Sequence, residues 1–225
     1  DELISADTKR LLEICSRLKE LPYDLHWMCQ LRVDKVDLDI LKVMKESGCF
    51  LISYGFESVS NTVLSSMNKH ITREQIERAL CLTREAGIGI QGYFIFGDPA
   101  EDFSTAWETL EFWKEKKDYH ITMGYIRPYP GSVLWKNEVV SSNLDTDQSK
   151  LNLLDSCIYL PPNLSKMNST EWFTLQKEVQ KAIILNNHVG EYISSKEIER
   201  GIYSITIRCP HCKEVVTYGN FHQRI

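Results

Sequence analysis

Three clusters of residues in this chain have types and spacing that could do chemistry. In Gly55-Phe56-Glu57-Ser58, an apolar run ends abruptly on a carboxylate and a hydroxyl. In Ile95-Phe96-Gly97-Asp98-Pro99, with Glu101 just beyond, a second apolar run ends on a glycine and acids. A carboxylate behind a buried strand is costly unless paired or hydrogen-bonded. Glu57 is therefore either an acceptor for a ligand or a cap on the helix that follows, and Ser58 shares either role. Glu57 and Asp98 would also serve as an acid–base pair. Gly97 has no Cβ, which suits close approach of a ligand or a tight turn before Pro99. The third cluster, Cys209-Pro210-His211-Cys212, has the spacing that offers two thiolates to zinc, with a second pair needed to complete a ribbon.

Alternating elements must position these groups. A helix capped by Asp7 carries Leu11, Leu12, Cys15 and Leu18 as a stripe. A strand follows around Leu25–Val33, then a helix ended by Gly48 and a strand at Cys49–Tyr54. Thr72-Arg73-Glu74-Gln75 has the form of a capping box, opening a helix whose buried face is Ile76, Ala79, Leu80 and Thr83. A strand at Ile88–Phe96, a helix near Ser104–Lys117 aligning Trp107, Leu110 and Trp113, and a strand at His120–Ile126 complete the series. Alternation of this kind predicts a parallel sheet, with ligands at the carboxyl ends of the strands. Beyond Gly131 the pattern loosens into an irregular stretch, a long helix from Thr170 and a strand-like Tyr203–Ile207. The expected organisation is a barrel part over 1–136, a connection and helical extension over 137–200, and a CxxC segment over 201–225.

At this point the motifs resemble a known family. Gly55-Phe56-Glu57-Ser58, Val63-Leu64 with Met67-Asn68-Lys69, Tyr93–Asp98 with Pro99 and Glu101, and Pro128–Ser132 occur in the order found in radical S-adenosylmethionine (SAM) enzymes. The closest branch is the one that often carries an N-terminal cobalamin-binding domain. The resemblance covers roughly 1–135 and implies the later part of a partial (βα)6 TIM-like barrel. It implies SAM and a [4Fe–4S] cluster as cofactors, with cobalamin in the branch that transfers methyl groups to unactivated carbons. The family's Cys-x3-Cys-x2-Cys loop has no counterpart here. Its place is expected upstream of Asp1, so the fragment alone is expected to be inactive.

The resemblance also implies site residues. Glu57, with Ser58 and Gly55 beside it, would accept from the ribose hydroxyls or amino group of SAM. Arg32, ending the first strand, could grip the methionine carboxylate in two-pronged fashion; an ion pair with Asp34 or Asp1 accounts for it as well. Ile95 and Gly97 would meet the adenine, and Tyr129 would stack there or pack in a Pro-Gly turn. Lys69 reads as a solvated helix-start residue. Asp1 and Glu2 would face the pocket mouth. Two alternatives stay open: a non-radical barrel enzyme using Glu57 and Asp98, and a non-catalytic small-molecule-binding module.

Bulk properties narrow the classes. The chain has 225 residues, 43% hydrophobic and 25% charged, which suits one large domain or a domain with an appendage. A net charge of −5 with no long basic run makes nucleic acid an unexpected partner. No apolar stretch has the length of a membrane span. Expected partners are a small-molecule substrate and an electron donor such as flavodoxin or ferredoxin. Cys15, Cys29, Cys49 and Cys81 read as buried reduced thiols, and the scattered cysteines suit a reducing, cytoplasmic setting. His26, His70, His120, His188 and His222 show no metal spacing.

Overall fold

The structure, a computed structural model, describes residues 4, 7–116, 120–141, 161–186, 191–209 and 213–222. Asp1, Glu2, Cys157, His188, His211 and Cys212 lie outside the described residues. Internal contacts divide the chain into two units, Asp1–Lys181 and Ala182–Ile225.

The first unit is built on a four-stranded parallel sheet in sequence order, β1 (Trp27–Leu31), β2 (Cys49–Glu57), β3 (Gly89–Phe96) and β4 (His120–Tyr125). Helices α1 (Thr8–Lys19), α2 (Leu38–Glu46), α3 (Asn61–Ser66), α4 (Arg73–Glu85) and α5 (Phe103–Glu115) precede and connect the strands. Local chemistry sets their ends. Asp7, Asp37, Thr72 and Asp102 cap four of these helices through their side chains, with capping boxes at Thr72 and Asp102. Gly48 takes φ +96° at the end of α2, where a Cβ would lie 1.9 Å from the Leu25 carbonyl oxygen. No L side chain fits there.

One face of the sheet is apolar and buried under the helices: Cys29 and Leu31, Ile52, Tyr54 and Phe56, Ile90, Phe94 and Phe96, and Ile121. Tyr54 stacks on Phe56, Phe56 meets Phe94 at a tilt of 35°, and Phe112 of α5 meets Phe94 edge-on at 6.0 Å. Gly92 makes room for Phe56, since a Cβ there would come within 2.2 Å of that ring. Strand alternation puts Gln30, Ser53, Gly55, Glu57, Tyr93, Ile95, Thr122 and Gly124 on the opposite side. Parallel sheets are normally covered by apolar residues on both faces. This one is polar on the second.

Several expectations are corrected. The first strand ends at Leu31, because Lys35 N–H bonds back to the Arg32 carbonyl at 3.1 Å and turns Val33–Lys35 into a short 3₁₀ turn. Trp107 is only half-buried, packing on Phe103 at 5.3 Å, and the buried face of α5 is instead Ala106, Thr109, Leu110, Phe112 and Trp113. Cys81 is exposed, on the face of α4 opposite the buried stripe, whereas Cys15, Cys29 and Cys49 are buried as expected. The α4 stripe is as read, Ile76, Ala79, Leu80 and Thr83.

Among the described residues two helices follow β4, α6 (Val133–Ser141) and α7 (Ser169–Asn186). In α7, Trp172, Leu175 and Val179 are buried. The second unit contains an antiparallel three-stranded sheet, β5 (Glu191–Glu199), β6 (Ile202–Arg208) and β7 (Val215–His222). Only β6 is evident from alternation. Cys209 N–H donates to Glu214 O at 2.8 Å and Lys213 N–H to Cys209 O at 3.0 Å, so Cys209 opens the turn between β6 and β7. Among the described residues no group of three His, Cys, Asp or Glu could hold a metal, and zinc gains no support. No helix among the described residues is long and apolar enough to cross a membrane.

Candidate functional site

The polar face of the sheet lines a cavity of about 650 Å³. That lies within the range of small-molecule sites, roughly 300–1,000 Å³. Its wall includes Gln30, Ser53, Tyr93 and Thr122 along the strands, with Arg32, Glu57 and Lys69 at their carboxyl ends.

Glu57 is the centre of the charged end. β2 and β3 slip register between Gly55 and Glu57, so Phe56 bulges out of the ladder. The bulge puts Glu57 at φ +65°, a left-handed conformation that is uncommon outside glycine. Its Oε1 lies 2.7 Å from Lys69 Nζ, while Oε2 is buried and has no hydrogen-bond partner. Lys69 Nζ also donates to the Gly55 carbonyl at 3.3 Å. A Cβ on Gly55 would sit 2.7 Å from Glu57 Oε1 and 3.1 Å from Lys69 Nζ, so glycine lets the ion pair lie over the strand. Asn68 and His70 flank Lys69 with φ +55° and +50°. Three of the four left-handed non-glycine residues described thus sit beside this pocket, the placement expected of strain retained at a functional site.

Arg32 makes the ion pair with Asp34, Nε to Oδ1 at 2.9 Å, and its Nη2 also reaches Lys69 O at 3.4 Å. The guanidinium lines the cavity and ties its first strand end to the Lys69 turn. Ile95 lines the cavity from β3. Gly97 lies beyond the cavity wall at φ +104°, where a Cβ would come within 3.2 Å of the Trp172 ring.

The other expected site residues fall elsewhere. Ser58 is fully buried and turned away from the pocket: its hydroxyl bonds Thr109 Oγ1 at 3.0 Å and accepts from Ser60 N–H at 3.1 Å, tying the end of β2 to α5. Tyr129 is 62% exposed and does not line the cavity. Tyr125, four residues earlier, does. Its ring is held by Phe96 at 6.2 Å and edge-on by Trp172 at 5.5 Å, and burial pushes its phenol up to about 12. Lys69 and Tyr125 are thus wall residues that sequence reasoning missed. Asp98 is buried, spends Oδ1 on Ala100 N–H at 2.8 Å, and is not on the wall with Glu57, so an acid–base pair is not assembled.

This arrangement can hold a zwitterionic or cationic polar ligand: cations of Arg32 and Lys69 for a carboxylate, and an unpaired carboxylate oxygen for hydroxyl or ammonium donors. SAM has that inventory, and the residues fit it. No set of three ligands for a [4Fe–4S] cluster lies among the described residues.

The chain is similar to several known proteins. Residues 3–112 match the Radical SAM superfamily. An uncharacterized methyltransferase of Pyrococcus horikoshii is 30% identical over 146 residues, 65% of this chain and 32% of that protein. The bacteriochlorophyllide d C-8(2)-methyltransferase of Chlorobaculum tepidum is 30% identical over 159 residues, 68% of this chain and 35% of the relative. This chain thus spans about a third of the length of the curated relatives it matches. Coproporphyrinogen III oxidase from Escherichia coli, described as a radical SAM enzyme, shares the fold with a TM-score of 0.50 at 19% identity, over 68% of this chain and 37% of that one. The segment that carries the polar sheet face and the charged strand ends is the one that matches the Radical SAM superfamily.

Proposed function

We propose that this chain forms the SAM-binding wall of a radical SAM enzyme. The observation that carries the reading is Glu57 Oε2, a buried and unpartnered carboxylate oxygen in a residue that lines the cavity between Lys69 and the sheet. An unsatisfied buried acceptor costs about 1–3 kcal/mol, more when charged, and a bound ribose diol or ammonium removes that cost. In this reading Lys69 and Arg32 neutralise the methionine carboxylate, and Ile95 with Tyr125 walls the apolar end. Gly55, by staying small, keeps the Glu57–Lys69 pair in place.

Glu57, Arg32 and Lys69 would hold SAM here, and SAM placed beside a reduced [4Fe–4S] cluster would supply one-electron cleavage of the sulfonium and hydrogen abstraction from substrate. The chain's residues bind and orient SAM, and the strand-lined wall limits water around it. The methyltransferase names of the Pyrococcus and Chlorobaculum relatives support methyl transfer as the reaction class, with cobalamin as the second cofactor of that version. A small-molecule substrate, a low-potential electron donor such as flavodoxin or ferredoxin, and a cytoplasmic setting complete the reading.

Calorimetric titration of the chain with SAM tests it. Wild type is expected to bind, and Glu57→Gln to bind about tenfold or more weakly, the cost of weakening a charge-assisted hydrogen bond. Equal binding by Glu57→Gln would remove Glu57 from the site. No binding by the wild type would remove SAM.

A further inference from the structure

Glu101 is fully buried, lies outside the cavity wall and has no part in the SAM contacts above. Its Oε2 accepts from Gly97 N–H at 2.6 Å, and its Oε1 has no partner. Its main chain is equally engaged: the N–H donates to Asp98 O at 2.8 Å, and the carbonyl accepts from Lys166 N–H at 2.8 Å. Capping of α5 does not explain it, because Asp102 does that work through Thr105 N–H at 2.9 Å. Apolar packing does not explain it either, since a buried carboxyl is an expensive way to fill space.

Its bonds lead to the cavity. Glu101 fixes the start of the Gly97 turn with its side chain and seats the Lys166 segment with its carbonyl. That segment runs into α7, where Trp172 packs within 3.2 Å of the Cβ position of Gly97. The same ring meets Tyr125 edge-on, and Tyr125 lines the cavity. Two anchors on one residue therefore set the ring that backs the wall.

We infer that Glu101 is a positioning residue for SAM binding: its carboxyl locks the Gly97 turn so that Trp172 holds Tyr125 against the cavity. The inference rests on the SAM reading of that cavity. It places 161–181 with the binding unit, consistent with the compact unit that ends at Lys181, and it distinguishes Glu101 from the residues that touch the ligand.

The test uses the full chain, amide hydrogen exchange without ligand, and titration with SAM. Glu101→Ala is expected to speed exchange across 97–102 and 166–172 and to weaken SAM binding about tenfold, the loss of one buried hydrogen bond. Glu101→Gln keeps an acceptor for Gly97 N–H and is expected to restore both readouts to within about twofold. Gly97→Ala, which drives a methyl into Trp172, is expected to reproduce the Glu101→Ala pattern around 166–172. The inference is overturned if Glu101→Gln is as damaged as Glu101→Ala, or if Glu101→Ala leaves exchange and affinity unchanged. Where Glu101→Ala does not fold, Glu101→Gln and Gly97→Ala decide: the former must leave both readouts intact and the latter must move both. A wild-type chain that binds no SAM overturns the reading of the cavity, and the exchange data then judge the turn on their own.

Discussion

Replacing Glu101 by Gln should change how the stability of this fold depends on pH. Burial raises the Glu101 carboxyl from 4.5 to about 8, against the lowering effect of the Gly97 N–H, with Asp98 and Asp102 adding to the rise. The folded protein therefore holds a proton that the unfolded chain has released. Stability falls with pH wherever the folded state binds more protons. The contribution is intact below pH 4.5 and is lost progressively up to about pH 8, beyond which both states are ionised. At about 1.4 kcal/mol per pH step, wild type loses roughly 3 kcal/mol by pH 7 relative to an always-neutral side chain. Gln is such a side chain, and it keeps an acceptor for Gly97 N–H. Its amide introduces a fixed cost at Oε1, but a fixed cost does not vary with pH. Urea unfolding of both proteins at pH 5, 6, 7 and 8, followed by tryptophan fluorescence, isolates the effect, because every other titration cancels in the difference. The difference should move in favour of Glu101→Gln by about 3–4 kcal/mol from pH 5 to pH 8. Parallel pH profiles would show that Glu101 is not held neutral, and the argument from burial would fail.

Further outcomes follow from single contacts. Gly55→Ala should weaken SAM binding about tenfold through separation of Glu57 and Lys69, while costing under about 1 kcal/mol of stability, since the atoms it meets are the ends of flexible side chains; calorimetric titration and a melting curve check both halves. Gly92→Ala should do the reverse. Its methyl meets the Phe56 ring at 2.2 Å inside a packed aromatic row, and overpacking of this kind costs about 1–3 kcal/mol, visible in urea titration. Tyr54→Phe removes a buried hydroxyl bonded to Thr83 Oγ1 at 2.7 Å and should destabilise by about 1–2 kcal/mol, leaving SAM affinity within twofold.

Much of the architecture could be read from the sequence because it is decided locally. The Thr72 capping box, the left-handed Gly48 and the apolar stripe of α4 all depend on residues within a few positions of one another. The sheet's apolar face follows from strand alternation, and the carboxyl-end location of the site follows from parallel topology. What the sequence hides is set at long range. Ser58 turns away from the pocket because its hydroxyl finds Thr109, 51 residues later. Lys69 enters the wall because the 67–70 turn passes through two left-handed residues, a path that Asn and His permit without announcing. Tyr125 and Tyr129 are both aromatic residues near the end of the same unit, and only the reach of β4 and the position of Trp172 separate wall from surface. β5 escapes notice because Ser194, Ser195, Lys196 and Glu197 interrupt its alternation, and its register with β6 slips twice.

The two unpartnered carboxylate oxygens, Glu57 Oε2 and Glu101 Oε1, look alike as buried acceptors but differ in what surrounds them. Glu57 has a cation 2.7 Å away at one oxygen, and its second oxygen is left to accept from a ligand. Glu101 has no cation, only a single N–H and two neighbouring aspartates, and burial drives it toward the neutral acid. The carboxyl ends of two neighbouring strands therefore carry a carboxylate placed to bind and a carboxyl that holds a turn. A double substitution separates the roles. If both contribute to SAM binding, Glu57→Gln and Glu101→Ala should each weaken it. Their effects should be close to additive, because Glu57 touches the ligand while Glu101 acts through Gly97, Trp172 and Tyr125 on the far wall. Coupling above about 0.5 kcal/mol would mean that the turn and the ion pair form one element rather than two.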